Sequence, residues 1–272
     1  MGYFSNSYFA KKTVYITGAA SGIGFETARQ LIQQGTNLVL FDVQALDTAL
    51  TALQSINANN VSISTYKLDV TDAEATTQQF DLAASIAPPD ILMHFVGITG
   101  PWTFDDMSQE QFERVININL FGTRNVLAAI RPFLSRGKQV MVTASMASFT
   151  GSYGYSSYSA SKFAIWGMMQ SINFEWQPLG IDITVFAPPP IDTPLTQAEV
   201  GIMSQAGVGM KKLAGELKIE DAVKSMLKGV ENREFLVVPG IMANIIRLQL
   251  RLFPISWVNW IGNKTVAFSL KK

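Results

Sequence analysis

The sequence predicts an α/β protein built as a doubly wound parallel sheet with helices on both faces, and three observations carry that prediction. Short apolar runs alternate with segments of helical period along most of the chain. A glycine-rich turn joins the first run to the first helix. Polar residues with chemistry to offer then stand just after later runs, at the edge where open parallel sheets bind ligands.

Composition narrows the function before any motif is read. The 272 residues, 48% hydrophobic and 15% charged, suit one large, well-cored domain. Lys and Arg number 21 and so do Asp and Glu, so no nucleic-acid surface is indicated. Cysteine is absent, which excludes disulfides, thiolate metal sites and a cysteine nucleophile, and fits a reducing compartment such as the cytoplasm. The single histidine, His94, argues against a histidine-rich metal site and a Ser-His-Asp triad, and no metal is expected. The N-terminus lacks the pattern of a secretory signal. No apolar run is long and uninterrupted enough to span a bilayer.

Val14 to Ile16 reads as the first strand. It runs into Thr17-Gly18-Ala19-Ala20-Ser21-Gly22-Ile23-Gly24, followed by a helix from Phe25 to Gln34 closed by Gly35. Strand, glycine turn and helix in that order form a pyrophosphate cradle: Gly18, Gly22 and Gly24 let the backbone approach the phosphates, whose charge faces a helix N-terminus. Asn37 to Phe41 is the second strand, and Asp42 ends it about 20 residues beyond the turn, where a carboxylate meets the adenosine ribose. Such a carboxylate repels a 2′-phosphate, and neither Ser21 nor Val43 offers a cation to one, so the expected cofactor is NAD rather than NADP. Asp42 could otherwise cap a helix starting near Ala45.

A helix from Leu46 to Ile56, a strand from Val61 to Leu68 and a helix from Ala73 to Ile86 continue the alternation. Asp69 either meets the adenine amine or caps the next helix together with Thr71 and Asp72. The fourth strand, Ile91 to Val96, ends at Gly97. A long helical pattern from Gln109 to Phe133 holds Asn117 and Asn119 in its interior, where asparagine is mildly unfavourable, so one of them is there for a reason. Val140 to Thr143 is the fifth strand, and Ser145 follows it.

Ser156 to Trp176 is a helix carrying Tyr158 and Lys162 at i and i+4, on one face. A cation within about 4–6 Å favours an ionised phenol. Bringing a tyrosine from about 10 to about 7 needs roughly 4 kcal/mol. On that basis Tyr158 is a candidate general acid or base. The helix is apolar over a wide surface, suiting burial against a second subunit or a large core. The sixth strand, Ile183 to Phe186, leads into Pro188-Pro189-Pro190, and Thr193 with Pro194 reads as an N-cap and first helical residue. The Gly- and Met-rich segment at about 194–218 suits a lid over an apolar ligand. A helix from Glu220 to Gly229 and a seventh strand from Phe235 to Val238 follow.

Residues 241–272 form an amphipathic extension of the domain at 1–240. Ile241, Ile245, Leu248 and Leu252 fall at helical spacing, Pro254 ends the helix, and Trp257, Val258, Trp260 and Ile261 continue on a second one. The expected home of this surface is protein, its own substrate cleft or a partner subunit, with peripheral contact to a membrane as the third alternative.

The glycine turn, Asp42, Asn119, Ser145 and Tyr158-x-x-x-Lys162 together closely resemble the short-chain dehydrogenase/reductase family, in register from about Lys12 to Pro239. The resemblance implies a single Rossmann-type domain with seven parallel strands, moving hydride between nicotinamide and a carbinol or carbonyl carbon. It implies that Tyr158 exchanges the proton with the substrate oxygen, Lys162 lowers its pKa and holds the nicotinamide ribose, Ser145 hydrogen-bonds the substrate oxygen, and Asn119 shapes a helix and binds a relay water. It also implies that Gly18, Ser21, Ile23, Gly24 and Asp42 hold the adenosine diphosphate part, Asp69 and Val70 the adenine, and Ile191 and Thr193 the carboxamide, with Gly97 admitting the ribose. Two turns depart from the family pattern: His94-Phe95-Val96-Gly97 replaces Asn-Asn-Ala-Gly, and Pro188-Pro189 replaces Pro-Gly. His94 is read as structural.

The leading expectation is therefore an NAD-dependent enzyme acting on a lipophilic secondary alcohol or ketone, assembled as a homodimer or homotetramer. The alternatives are an NADPH-dependent reductase of lipid or acyl-chain ketones and a non-catalytic dinucleotide sensor or scaffold.

Overall fold

A computed structural model describes residues 7–199, 203, 207 and 217–269 of the chain. Seven strands form one parallel sheet: β1 (Thr13–Thr17), β2 (Asn37–Asp42), β3 (Ile63–Lys67), β4 (Ile91–His94), β5 (Gln139–Thr143), β6 (Asp182–Phe186) and β7 (Leu236–Val237). Their order is β3-β2-β1-β4-β5-β6-β7. The chain winds outward from β1 in one direction, then returns to β4 and winds outward in the other. The crevice this leaves lies beyond the carboxyl ends of β1 and β4, where Thr17 pairs with His94.

Strand alternation divides the core between the two faces. Tyr15, Val39 and Phe41 join Phe80, Leu92, Val126 and Ile165 on one side. Val14, Ile16, Leu38 and Leu40 join Leu31, Met93, Phe186 and Met226 on the other. All but Val39 in this set are fully buried, which is why these strands read as continuous apolar runs.

The helices are α1 (Gly22–Ile32), α2 (Asp47–Ser55), α3 (Ala73–Ile86), α4 (Gln109–Ile116), α5 (Gly122–Ile130), α6 (Ser156–Trp176), α7 (Pro194–Ala198), α8 (Ile219–Glu231), α9 (Ile241–Leu252) and α10 (Ile255–Ser269). Two differ from the sequence reading in a way that matters. α1 begins at Gly22 rather than Phe25, so the second half of the glycine turn is already its first turn. The long helix expected from Gln109 to Phe133 is broken between α4 and α5 by a π-helical stretch, Asn117–Phe121, and ends in a 3₁₀ turn, Arg131–Phe133. π-helical insertions often mark functional sites, and this one contains Asn119.

Thr193 caps α7 as expected, accepting a hydrogen bond from the Thr196 N–H, with Pro194 as the first helical residue. Most of the segment read as a lid, including Gly201, Gly209, Met210 and Gly215, lies outside the described residues. In the tail, the expected packing of the apolar stripe is not met within the chain. Ile241, Ile245, Leu248 and Leu252 are exposed, and α9 is held through buried Ala243 and half-buried Ile246 instead. Asn244 Nδ2 ties its first turn down by donating to the Val238 and Gly240 carbonyls at 2.6 and 3.0 Å. Among the described residues no helix is long and apolar enough to cross a membrane.

Candidate active site

The first half of the site is the turn between β1 and α1. The Gly18 N–H donates to the Phe41 carbonyl at 2.8 Å, and Gly18 (φ 75°) and Gly22 (φ 57°) hold left-handed backbone that favours glycine. A Cβ on Gly18 would meet the Val96 nitrogen at 3.1 Å, so the turn lies directly against the loop after β4. A cavity of about 1000 Å³ opens over this turn. Gly18, Ser21, Gly22, Ile23 and Gly24 line it from β1 and α1, Asp42, Asp69 and Val70 from the ends of β2 and β3, and Gly97 and Thr193 from the later loops. Ile191 is absent from this lining and borders a second cavity. The volume, the bare backbone and the helix N-terminus fit a dinucleotide.

Asp42 is buried and does not cap α2. Its Oδ2 accepts the Ala20 N–H and its Oδ1 the Gln44 N–H, each at 2.9 Å, so it fastens the glycine turn to the end of β2. Each carboxylate oxygen retains acceptor capacity toward the cavity. Around it stand Val43 and Gln44, neither cationic. Asp69 accepts from the Thr71 N–H and hydroxyl at 2.9 and 2.7 Å, while Asp72 caps α3. Of its two readings, the capping one therefore passes to Asp72, and Asp69 remains exposed on the cavity wall.

The second half of the site forms where β4, β5 and α6 converge. A cavity of about 320 Å³ is lined by Ser145, Tyr158 and Lys162, with Ile191, Pro188 and Ile246 among its apolar walls. It shares Ile23, Phe95, Gly97 and Thr193 with the glycine-lined cavity, and at Gly97 a Cβ would lie 3.5 Å from the Lys162 Nζ. Ser145 stands close enough to the Tyr158 phenol to favour its ionised form, and its Oγ accepts the Ala147 N–H at 3.1 Å. Lys162 is buried, its Nζ donating to the Thr143 carbonyl at 2.9 Å and lying 5.6 Å from the centre of the Tyr158 ring.

Asn119 explains the break between α4 and α5. Fully buried, it accepts the Ile98 N–H at 2.8 Å and donates to the Ile98 carbonyl at 2.9 Å and to Ser161 Oγ at 3.0 Å. It thereby clamps the loop after Gly97 to α6, one residue before Lys162. Asn117 is exposed and borders the larger cavity. His94, fully buried, bridges Thr17 Oγ1 at 2.6 Å and Thr123 Oγ1 at 3.0 Å, and Thr123 donates to the Asn119 carbonyl. Burial pushes His94 down to about 3, so it is neutral and structural, remaking the support that the altered loop would otherwise lack.

One expectation is corrected. The phenol of Tyr158 is not brought toward 7: burial pushes it up to about 12, against the opposing pull of Ser145 and with a further rise from the Glu199 charge. The physical reason is the aim of Lys162, whose ammonium is directed at the Thr143 carbonyl and is itself lowered to about 8 by burial.

The short chain dehydrogenase family model matches residues 12–201, which contain both halves of the site. The chain belongs to the short-chain dehydrogenase/reductase family. A 3-dehydrosphinganine reductase of Arabidopsis thaliana is 29% identical over 230 residues, covering 82% of this chain and 68% of that protein. A short-chain dehydrogenase/reductase from Burkholderia phymatum, solved in complex with NAD, shares the fold with a TM-score of 0.77 at 19% identity, over 91% of this chain and 94% of that one. A short-chain dehydrogenase from Sphingobium yanoikuyae, solved in complex with NADPH, does so with a TM-score of 0.73 at 23% identity, over 95% of each chain. Solved structures of this fold thus hold either dinucleotide.

Within this family member, Tyr155 and Glu199 line the apolar cavity and were not among the residues expected from the sequence. Tyr155 donates its hydroxyl to Glu199 Oε2 at 3.0 Å, and its ring meets that of Tyr158 edge-on at 6.1 Å between centres. Tyr155 was legible in principle, three residues before Tyr158 and so on the same side of the helix start. Glu199 carries no local signal, because it is the course of α7, which it caps at the C-terminal end, that brings it to the cavity.

Proposed function

We propose that this oxidoreductase moves a hydride between NAD(H) and a lipophilic secondary alcohol or ketone. What supports the reading above all is that Tyr158, Ser145 and Lys162 line an apolar cavity that shares Ile23, Phe95, Gly97 and Thr193 with the glycine-lined one. When bound, the dinucleotide gives or takes the hydride. The chain manages the oxygen and its proton. In reduction, the Tyr158 hydroxyl donates its proton to the substrate oxygen while the Ser145 hydroxyl hydrogen-bonds the same oxygen. Lys162 places a cation beside the phenolate that forms, and the Thr143 carbonyl holds that cation in place. Asn119 positions the Gly97 loop and α6 relative to one another.

A phenol held at about 12 is protonated at neutral pH, which favours the reductive direction there. Oxidation needs the phenolate, so its rate rises with pH. The lipophilic substrate class is supported by the walls of the cavity, by Ile246 reaching it from the tail, and by the reductase named among the relatives. Association into a homodimer or homotetramer is supported by α6, where Ile165 and Met169 are buried but Phe163 and Phe174 are exposed.

NAD in preference to NADP is supported by Asp42, which stands on the cavity wall between Phe41 and Val43, neither of them cationic. Replacing Asp42 with Ala removes its ribose contact and its repulsion of a 2′-phosphate. NADH should then weaken and NADPH gain, by about 1–3 kcal/mol in relative terms. Titration of both dinucleotides against wild type and Asp42→Ala tests this; a wild-type protein that already prefers NADPH contradicts it and favours the NADPH-reductase reading.

A further inference from the structure

We propose that α9 and α10 form a docking surface for an anionic phospholipid bilayer, lying in the plane of its headgroups. Along these two consecutive helices Ile241, Met242, Ile245, Leu248, Leu252 and Ile255 are exposed, Ile241 by 83%. Trp257, Trp260, Ile261 and Phe268 continue the series, with Trp260 56% exposed. Globular proteins seldom leave so much large apolar surface uncovered without a partner. The Phe253 and Trp257 rings, 4.7 Å apart, join the two helices around Pro254.

Charge identifies the partner. The sequence from 241 to 272 holds Arg247, Arg251, Lys264, Lys271 and Lys272 and no Asp or Glu, in a chain whose formal net charge is zero. A second copy docking through the same face would set these cations against their own kind with no acid to answer them. An anionic bilayer answers both features, taking the apolar side chains below its headgroups and the cations among them. Tryptophan favours that boundary. The helices lie on the bilayer, since neither is long and apolar enough to cross it.

The geometry also sets the orientation. The first turn of α9 is tied to the end of β7 through Asn244 and buried Ala243, so the surface is fixed to the domain. Ile246, on the same helix, lines the apolar cavity, which therefore opens beside the proposed lipid face. Docking does not depend on the oxidoreductase chemistry and is tested without it.

The full chain is mixed with vesicles of phosphatidylcholine alone or with about a third phosphatidylserine, and the bound fraction is read by flotation. Binding is expected to the anionic vesicles and to fall with salt. Arg251→Gln/Lys264→Gln, both at exposed positions, should weaken it roughly thirtyfold, at about fivefold per cation. Trp257→Ser/Trp260→Ser should weaken it at least as much. Failure of the wild-type chain to float with either vesicle overturns the proposal. So does a stable dimer that the tryptophan substitutions dissociate and that binds no vesicle, an outcome that assigns the surface to a second copy. Equal binding by wild type and both variants overturns it as well, because these helices would then not be the contact.

Discussion

Tyr158→Phe should lower turnover by at least about 10² while leaving dinucleotide affinity nearly unchanged. The substitution keeps the ring, and with it the edge-on contact with Tyr155, and removes only the phenol oxygen. That oxygen belongs to a side chain lining the apolar cavity together with Ser145 and Lys162. Ionisation of the phenol is opposed by burial, so proton donation in reduction is the step most directly lost. Steady-state kinetics with a saturating dinucleotide, together with a separate measurement of its dissociation constant, separates the two effects. Retained turnover would remove Tyr158 from the reaction. Equal losses in turnover and dinucleotide affinity would mark it as a structural residue of the site.

Among the described glycines, Gly24→Ala should be the most damaging for folding and cofactor binding together. A Cβ at this position would lie 2.0 Å from the Gly18 carbonyl oxygen and 2.8 Å from its carbon. Both are backbone atoms of the turn that forms the cradle, so no side chain can swing aside. Either α1 lifts from the turn or the turn itself shifts. Overpacking of this kind costs about 1–3 kcal/mol or more, and the same displacement moves the N–H groups that a pyrophosphate would meet. Thermal unfolding should show a drop of several degrees, and dinucleotide affinity should fall by more than tenfold, the equivalent of about 1.4 kcal/mol. Gly35→Ala is the informative control. It carries a positive φ of 77° but has nothing within 4 Å of its added Cβ, so it should cost only about 1 kcal/mol and leave cofactor binding alone. If the two variants behave alike, close packing at Gly24 is not what shapes the cradle.

These residues also show what the sequence could and could not disclose. The glycine turn, Asp42 and the Tyr158–Lys162 pair were legible because each depends on local spacing: a strand followed by glycines, a carboxylate at a strand end, two side chains one helical turn apart. The central strands were legible for a related reason, since a strand buried on both faces must be apolar throughout. The interior asparagine was visible as an anomaly, and the structure supplies its cause in the π-helical break that turns Asn119 toward Ile98 and Ser161.

What escaped the sequence was long-range. The direction of the Lys162 ammonium depends on the Thr143 carbonyl, 19 residues away, and this reversed the expected shift of the Tyr158 phenol. His94 finds Thr17 and Thr123 across two strands and a helix, so its role could be read as structural but not located. Glu199 reaches Tyr155 only through the placement of α7, whose C-cap it is. The tail shows the limit of periodicity. The apolar stripe through Ile241, Ile245, Leu248 and Leu252 was correctly seen as one face of a helix, yet α9 meets the domain through its neighbours Ala243 and Ile246.

The most direct test of the proposed chemistry is the oxidation of NADH by the wild-type chain in the presence of long-chain and short-chain ketones, followed by the loss of its near-ultraviolet absorbance. The expected result is ketone-dependent consumption of NADH, with a higher kcat/KM for the long-chain ketones that fill the apolar cavity. Tight NADH binding with no consumption across either series would contradict catalysis and leave a dinucleotide sensor or scaffold as the better description.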